Sequence, residues 1–484
     1  MRWTLKEVAG ALRVAPPSGL DPLARVAGVS IDSRSVRAGE LFFAIHGPRH
    51  DGHTFVDGAL ACGALAAVVA RDRLDGFAPA TRGKLLGVAD TTAALGDLAR
   101  AVRRRWGRRV AGVTGSVGKT TTKEILAALL AARFRVLKSE GNLNNEYGLP
   151  LMLLRLEETH EAAVLEMGMS RAGELARLAK IAEPDVAVVT RVAPVHLEFF
   201  SSLDEIAAAK RELIEGLAGK EPVAVLNADD PRVAAFRRAA PGRVVTFGIE
   251  KPADFRAEAI EDRGALGSAF QLKSPAGCTR LEIPLAGRHA VANALAALAA
   301  ASVWGAGPAE AKRVFLRLRP ASMRGEVLRF DDGFALINDC YNSSPVALAA
   351  MIDLLVSTPG YRRRILAAGA MLELGTTSPM LHREAGRLAA GTGKIDWIVG
   401  VQGDAAEIVL GAIAEGHPET RTRFFPTSEE AAKFVRELVQ PGDLLLVKGS
   451  RGVKMERIVE ALLAHRAPVV AGEDARENAE EAHH

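Results

Sequence analysis

Residues 112 to 124 read GVTGSVGKTTTKE. The apolar stretch RVAGV (109–113) leads into them, and the helix-forming stretch KTTTKEILAALLAARF (119–134) leads out. A strand that passes through a glycine-rich turn into a helix is the setting a phosphate loop requires. Gly115 and Gly118 let backbone N–H groups curl around phosphate oxygens, and the helix N-terminus adds its positive end. Lys119 then reaches the outer phosphates, and Thr120 offers a hydroxyl to Mg²⁺. The spacing departs from the strict pattern, because Val113 stands where a glycine is required and the glycine sits one place earlier, at Gly112. The plainer alternative is a tight turn with a solvent-facing lysine. Gly-Lys-Thr-Thr directly after such a strand favours the ATP reading.

The alternation continues on both sides of the loop. AAVLEM (162–167), DVAVVT (185–190), PVAVLN (222–227) and RVVTF (243–247) read as buried strands with helical spacers, the pattern of a parallel, doubly wound sheet. Residues 250–285 are more polar and read as antiparallel strands, GRHAVANALAALAAASVWG (287–305) as a helix, and LRLRPASMRGE (316–326) as a linker. Beyond it FALIND, RRILAAG, DWIVGV, TRFFP and DLLLVKG restart the alternation, each followed by a helical stretch. Upstream, short apolar runs mix with turn signals, and VDGALACGALAAVVA (56–70) reads as a helix. The expectation is an α/β chain of three domains. These are a small N-terminal α/β domain (1–90), a central phosphate-loop domain on a mostly parallel doubly wound sheet (91–319) and a Rossmann-like C-terminal domain (320–466). A disordered tail (467–484) follows.

A chain of 484 residues is too long for a single core, and 48% hydrophobic with 25% charged residues is an ordinary globular composition. The net charge of +4 suits an anionic partner. The basic run RRRWGRR (103–109) carries no nucleic-acid motif and reads as a solvated helix end, so no nucleic-acid partner is expected. Cys62, Cys278 and Cys340 are too scattered for a disulfide framework or a zinc site, which fits a reducing cytosol. No stretch has the apolar length of a signal peptide or membrane span, so a cytoplasmic location without membrane insertion is expected.

Three further side chains bear on the chemistry. Glu166 closes the apolar run AAVLEM, and a carboxylate at the C-terminal end of a strand faces the crevice where α/β sheets bind ligands. It reads equally as a polar strand end. His196, in RVAPVHLEFF, lies just past another strand end. A lone histidine is commonly structural, but beside a carboxylate it suggests a second metal. Two cations suit phosphoryl transfer to an anionic acceptor, because they offset repulsion between the reactants. Lys210, in IAAAKRELIEGL, reads by periodicity as a surface lysine.

GKTTTKE, GNLNNEYGLP, LEMGMSRAGEL, HLEFFSSLDEIAAAKREL, YNSSP, MLELG and LLVKGSRGVKME occur in this order, and together they resemble the Mur ligase family over about residues 1–462. That family's loop has the form Thr-Gly-Ser/Thr-x-Gly-Lys-Thr, which accounts for Val113. The resemblance implies an ATP-dependent amide ligase of peptidoglycan synthesis. Its terminal-carboxylate substrate would be a UDP-muramoyl tripeptide, activated as an acyl phosphate, and its amine D-Ala-D-Ala. It implies that Thr114, Gly115, Ser116, Val117, Gly118, Lys119, Thr120 and Thr121 bind ATP, with Asn293 on the adenine side and Arg324 and Asp339 contributed by the linker and third domain. It assigns one Mg²⁺ to Thr120 and Glu166 and a second to His196, supported by Lys210 as a carbamate. Ser33 and Arg34 fall in a stretch resembling the uridine-nucleotide-binding domain, and Asn144 and Asn145 match the substrate-side loop. A monomer is expected. The chain departs from its relatives at Ala290, Arg191, Met323, Ser344 and Ala370.

Overall fold

The computed structural model describes residues 3–47 and 50–469. From residue 470 onward the tail expected to be disordered lies outside them. Three sheets carry the architecture, beside a two-stranded pair (Trp3–Thr4 with Arg25–Val26). The first is a four-stranded parallel sheet in the order Gly28–Ser30, Glu40–Phe43, Ala66–Ala70, Leu85–Val88. Residues 56–70 are not one helix: the helix Val56–Ala61 stops, Gly63 turns the chain at φ 103°, and Ala66–Ala70 runs as a strand. A left-handed glycine ends helices, and the strand it releases is almost wholly buried between two neighbours, where AAVVA shows no alternation to read.

The second sheet has nine strands. From one edge the order is Gly277–Ile283, Ser268–Ser274, Phe255–Asp262, Arg243–Gly248, Val223–Asn227, Val186–Val189, Arg109–Thr114, Ala162–Glu166, Val136–Lys138. The first three are mutually antiparallel and the rest parallel. The chain leaves Arg109–Thr114 towards one edge, then returns to its other side at Val186–Val189, so the switch point lies at the end of the phosphate-loop strand. The third sheet holds the five expected strands, all parallel, plus an unforeseen antiparallel edge strand, Glu326–Arg329.

The helix Thr91–Trp106 joins the first two sheets. Asp90 caps its start by accepting from the Ala93 N–H at 2.8 Å, and Gly107 closes it at φ 66°. Its buried Leu95, Leu98 and Val102 lie in one apolar cluster with Leu41 and Val68 of the first sheet and Ala163 and Leu165 of the second. The basic run at its end is not simply solvated. Arg103 is buried and donates to the Ala182 and Glu183 carbonyls at 2.8 and 3.0 Å, while Arg100 and Arg104 pair with the Glu183 carboxylate. The buried Arg103 guanidinium needs such partners, and its two more exposed neighbours are engaged within the fold as well.

Candidate active site

Strand register sets the site. Val113 lies opposite Glu166 and Thr114 opposite Val189, so three strands end at one level around the loop. Gly115 adopts φ 150° and Gly118 φ 84°. A Cβ on Gly115 would fall 1.8 Å from Thr190 Oγ1, and one on Gly118 2.3 Å from Asn293 Oδ1, so no side chain fits at either. The neighbouring strand end holds the loop in place. Thr190 Oγ1 donates to the Val117 carbonyl at 2.6 Å, Ser116 N donates to the Arg191 carbonyl at 2.7 Å, and Ser116 Oγ both donates to Ala193 O and accepts from Ala193 N. Thr114 Oγ1 donates to the Met167 carbonyl at 2.8 Å. Thr121 lies on the helix Lys119–Ala131 and lines a cleft with Glu124, His289, Ala290, Arg324 and Met351.

Lys119, half-buried, turns its Nζ back onto the Gly115 and Ser116 carbonyls at 2.8 and 3.4 Å. Burial holds its pKa below the usual lysine value, the Glu166 charge works against that, and Arg324 adds to it. Thr120 Oγ1 donates to Glu166 Oε2 at 2.7 Å, and Asn144 Nδ2 donates to Glu166 Oε1 at 2.9 Å. The Glu166 backbone N–H is held by Ser139 Oγ, and Ser139's carbonyl in turn accepts from the buried Lys123 Nζ at 2.7 Å. Neither Ser139 nor Lys123 was singled out in the sequence, where nothing in their spacing marks them.

Lys210 is not on the surface. It is 2% exposed, and among the described residues no acceptor pairs with its amine. Burial, with the nearby positive charge of Lys119, lowers its pKa well below the ordinary value and so favours the uncharged amine. A signal was present: Ile206, Lys210, Leu213 and Ile214 form one helical stripe, all buried. His196 sits in a left-handed backbone, φ 56°, with Nδ1 2.5 Å from Glu373 Oε2 of the third domain. The imidazole beside it holds Glu373 below the usual carboxylate range.

Other expected residues lie around this centre. Asn293 Oδ1 accepts from Thr122 Oγ1 at 3.4 Å against Gly118. Arg324 stacks over the Tyr341 ring, 4.0 Å from its centroid, and Asp339 pairs with the buried Lys448 at 2.6 Å. Asn145 Oδ1 accepts from the Gly148 N–H, at the start of the helix Gly148–Leu153. Ser33 and Arg34 stand apart, on the first domain, where Arg34 grips Asp32 at 2.7 and 2.9 Å with its side chain 87% exposed. Among the described residues no three His, Cys, Asp or Glu side chains converge as a metal cluster, and no helix is long and apolar enough to cross a membrane.

Three family models match in succession: the catalytic domain of the Mur ligase family at 25–103, the Mur ligase middle domain at 113–301 and the Mur ligase glutamate ligase domain at 323–451. The chain belongs to the Mur ligase family. Within this family it is 37% identical to UDP-N-acetylmuramoyl-tripeptide–D-alanyl-D-alanine ligase of Bacillus subtilis, over 90% of this chain and 93% of that protein. The fold matches a crystal structure of the Mur ligase MurF from Acinetobacter baumannii with a TM-score of 0.86 at 31% identity, covering 96% of this chain and 99% of the other. A MurF ligase from Thermotoga maritima, solved in complex with ADP, matches with a TM-score of 0.79 at 31% identity, covering 90% and 96%. The three-sheet α/β architecture is therefore that of a Mur ligase.

Proposed function

We propose that this Mur ligase joins D-Ala-D-Ala to UDP-N-acetylmuramoyl tripeptide at the expense of ATP, in peptidoglycan precursor synthesis. The activity for which the relatives are named supports the substrates, and the ADP complex of one relative supports the nucleotide. The observation that carries the reading is local: the loop, Lys119, the Thr120–Glu166 pair and the unpaired amine of Lys210 gather at one sheet switch point.

Loop N–H groups from 115 to 120 cradle the phosphates, and Lys119 leaves its carbonyl acceptors to meet the β and γ groups. An oxygen of the substrate carboxylate attacks the γ-phosphorus, the bond to ADP breaks, and an acyl phosphate forms. The amine of D-Ala-D-Ala then attacks the acyl carbon, loses a proton, and phosphate departs with the carboxylate oxygen. Thr120 Oγ1 and Glu166 Oε2 are hard oxygen donors 2.7 Å apart, a fit for Mg²⁺. The His196 imidazole and the Lys210 amine supply only nitrogen. An uncharged Lys210 amine that takes up CO₂ gives a carbamate and a proton, and the carbamate would be the oxygen donor that, with His196, could hold the second Mg²⁺. The two ions, when bound, would offset repulsion between carboxylate and phosphates.

Asn144 orients Glu166, while Asn293, Arg324 and Asp339 frame the nucleotide from the central helix, linker and third domain. Ser33 and Arg34 serve the uridine end. The enzyme works as a cytoplasmic monomer. Phosphate release tests the assignment: it is expected with ATP, Mg²⁺, UDP-muramoyl tripeptide and D-Ala-D-Ala together, and to fall to background when the dipeptide is left out. Release that ignores the dipeptide would contradict the ligase reading.

A further inference from the structure

The MLELG stretch (371–375) contains a glutamate to which the phosphoryl chemistry gives no task. Glu373 stands at φ 64° and its partner His196 at φ 56°. For residues other than glycine that conformation is strained, and it persists only where surrounding contacts enforce it. They do so on both sides. In the third domain, three consecutive N–H groups before Glu373 are fixed: Ala370 to the Val401 carbonyl (3.0 Å), Met371 to His382 Nε2 (2.8 Å) and Leu372 to Ser450 Oγ (2.9 Å). His382 is fully buried, and its Nδ1 donates to the Ser378 carbonyl, so its other nitrogen is free to accept. On the central domain, Glu198 N donates to the Glu373 carbonyl at 3.3 Å, Gly375 lies against the Glu198 backbone, and Leu197 packs against the cores of both domains.

An exposed ion pair at the rim of two domains is ordinarily worth little. A rigid platform that spends backbone strain to aim one carboxylate at one ring nitrogen is a different arrangement. A carboxylate accepts only, so Nδ1 carries the proton and the lone pair of a neutral ring lies on Nε2.

We propose that Glu373 is the positioning residue for His196, fixing the ring's tautomer and direction so that Nε2 is presented as a metal ligand only while the third domain is docked. This rests on the reading of His196 as a ligand of the second ion. Carboxylates that orient metal-binding histidines are worth 10- to 100-fold in metal affinity or activity, by roughly the usual experience.

The test uses the full chain. Histidine-¹⁵N-labelled protein without metal, at about pH 8 where ordinary imidazoles are neutral, reports the tautomer of His196, assigned with H196Q. The parent and E373Q are expected to show protonated Nδ1, because a glutamine oxygen still accepts, whereas E373A moves towards protonated Nε2. In phosphate release, E373A is expected to lose about 10- to 100-fold in kcat and to need more Mg²⁺ for half-maximal rate, with E373Q recovering most of both. An E373A tautomer equal to the parent's, or kcat and Mg²⁺ requirement within twofold of it, overturns the proposal. An inactive parent would instead undo the ligase assignment and leave the tautomer result standing.

Discussion

Lys210 shows how a residue's chemistry is set by its surroundings. Its helix, Leu203–Glu215, presents Ile206, Leu213 and Ile214 to the core, and the lysine falls on the same stripe. The amine's pKa is lowered by burial and then by Lys119, so the native chain sheds a proton that the unfolded chain keeps up to the ordinary lysine value near 10.4. Between those two pKa values the unfolded state binds more protons, and stability rises with pH. In buffer free of CO₂, Lys210→Met is therefore expected to raise the melting temperature near neutral pH, and the gain to shrink as pH climbs towards 10.4. A gain that stays constant with pH would mean the amine is not neutral in the fold. The sequence held this stripe plainly, but a lysine within it is ambiguous until the partners of the helix are known. His196 was legible as lying beyond a strand end. Its link to Glu373, across 177 positions, was not, because no local pattern records a contact between domains.

At the scale of elements, the departures from relatives explain themselves where the backbone or a cap does the work. Arg191 serves the loop through its carbonyl, and Ala370 takes part through its backbone N–H and carbonyl, accepting there from Ser450 N. Ser344 caps the helix Pro345–Ser357 by accepting from the Ala347 N–H, a duty that serine and asparagine both perform. Met323 holds a left-handed backbone, φ 59°, at the linker. Its carbonyl accepts from Tyr341 N, and its sulfur lies 3.4 Å from Arg451. Both Met323→Gly and Met323→Ala lose the side chain, but only glycine relieves the backbone. The glycine variant is expected to be more stable than the alanine variant by about 1 kcal/mol in urea unfolding. The reverse order would show that the linker conformation is unstrained. Periodicity served well for the third-domain strands, where each apolar run is closed by turn residues. It failed at 56–70, where strand and helix run together in alanine and valine.

Across the whole molecule, the first two sheets share one apolar cluster through the helix Thr91–Trp106, while the third keeps its own core and meets the central sheet near the site through Leu197, the Glu373 loop and the Arg324 linker. That division suits an enzyme that must shield an acyl phosphate from water and then release products, because the third domain can undock without opening the other two. The loop at 112–124 announced the nucleotide, and ordered motifs announced the family. The junction between domains came only with the fold. If the substrate carboxylate passes through an acyl phosphate, one of its oxygens must leave with the phosphate. With UDP-muramoyl tripeptide carrying ¹⁸O in both oxygens of its terminal carboxylate, mass spectrometry of the released phosphate is expected to find one ¹⁸O atom per phosphate and one retained in the new amide. Phosphate without the label would show that the carboxylate never took the phosphoryl group.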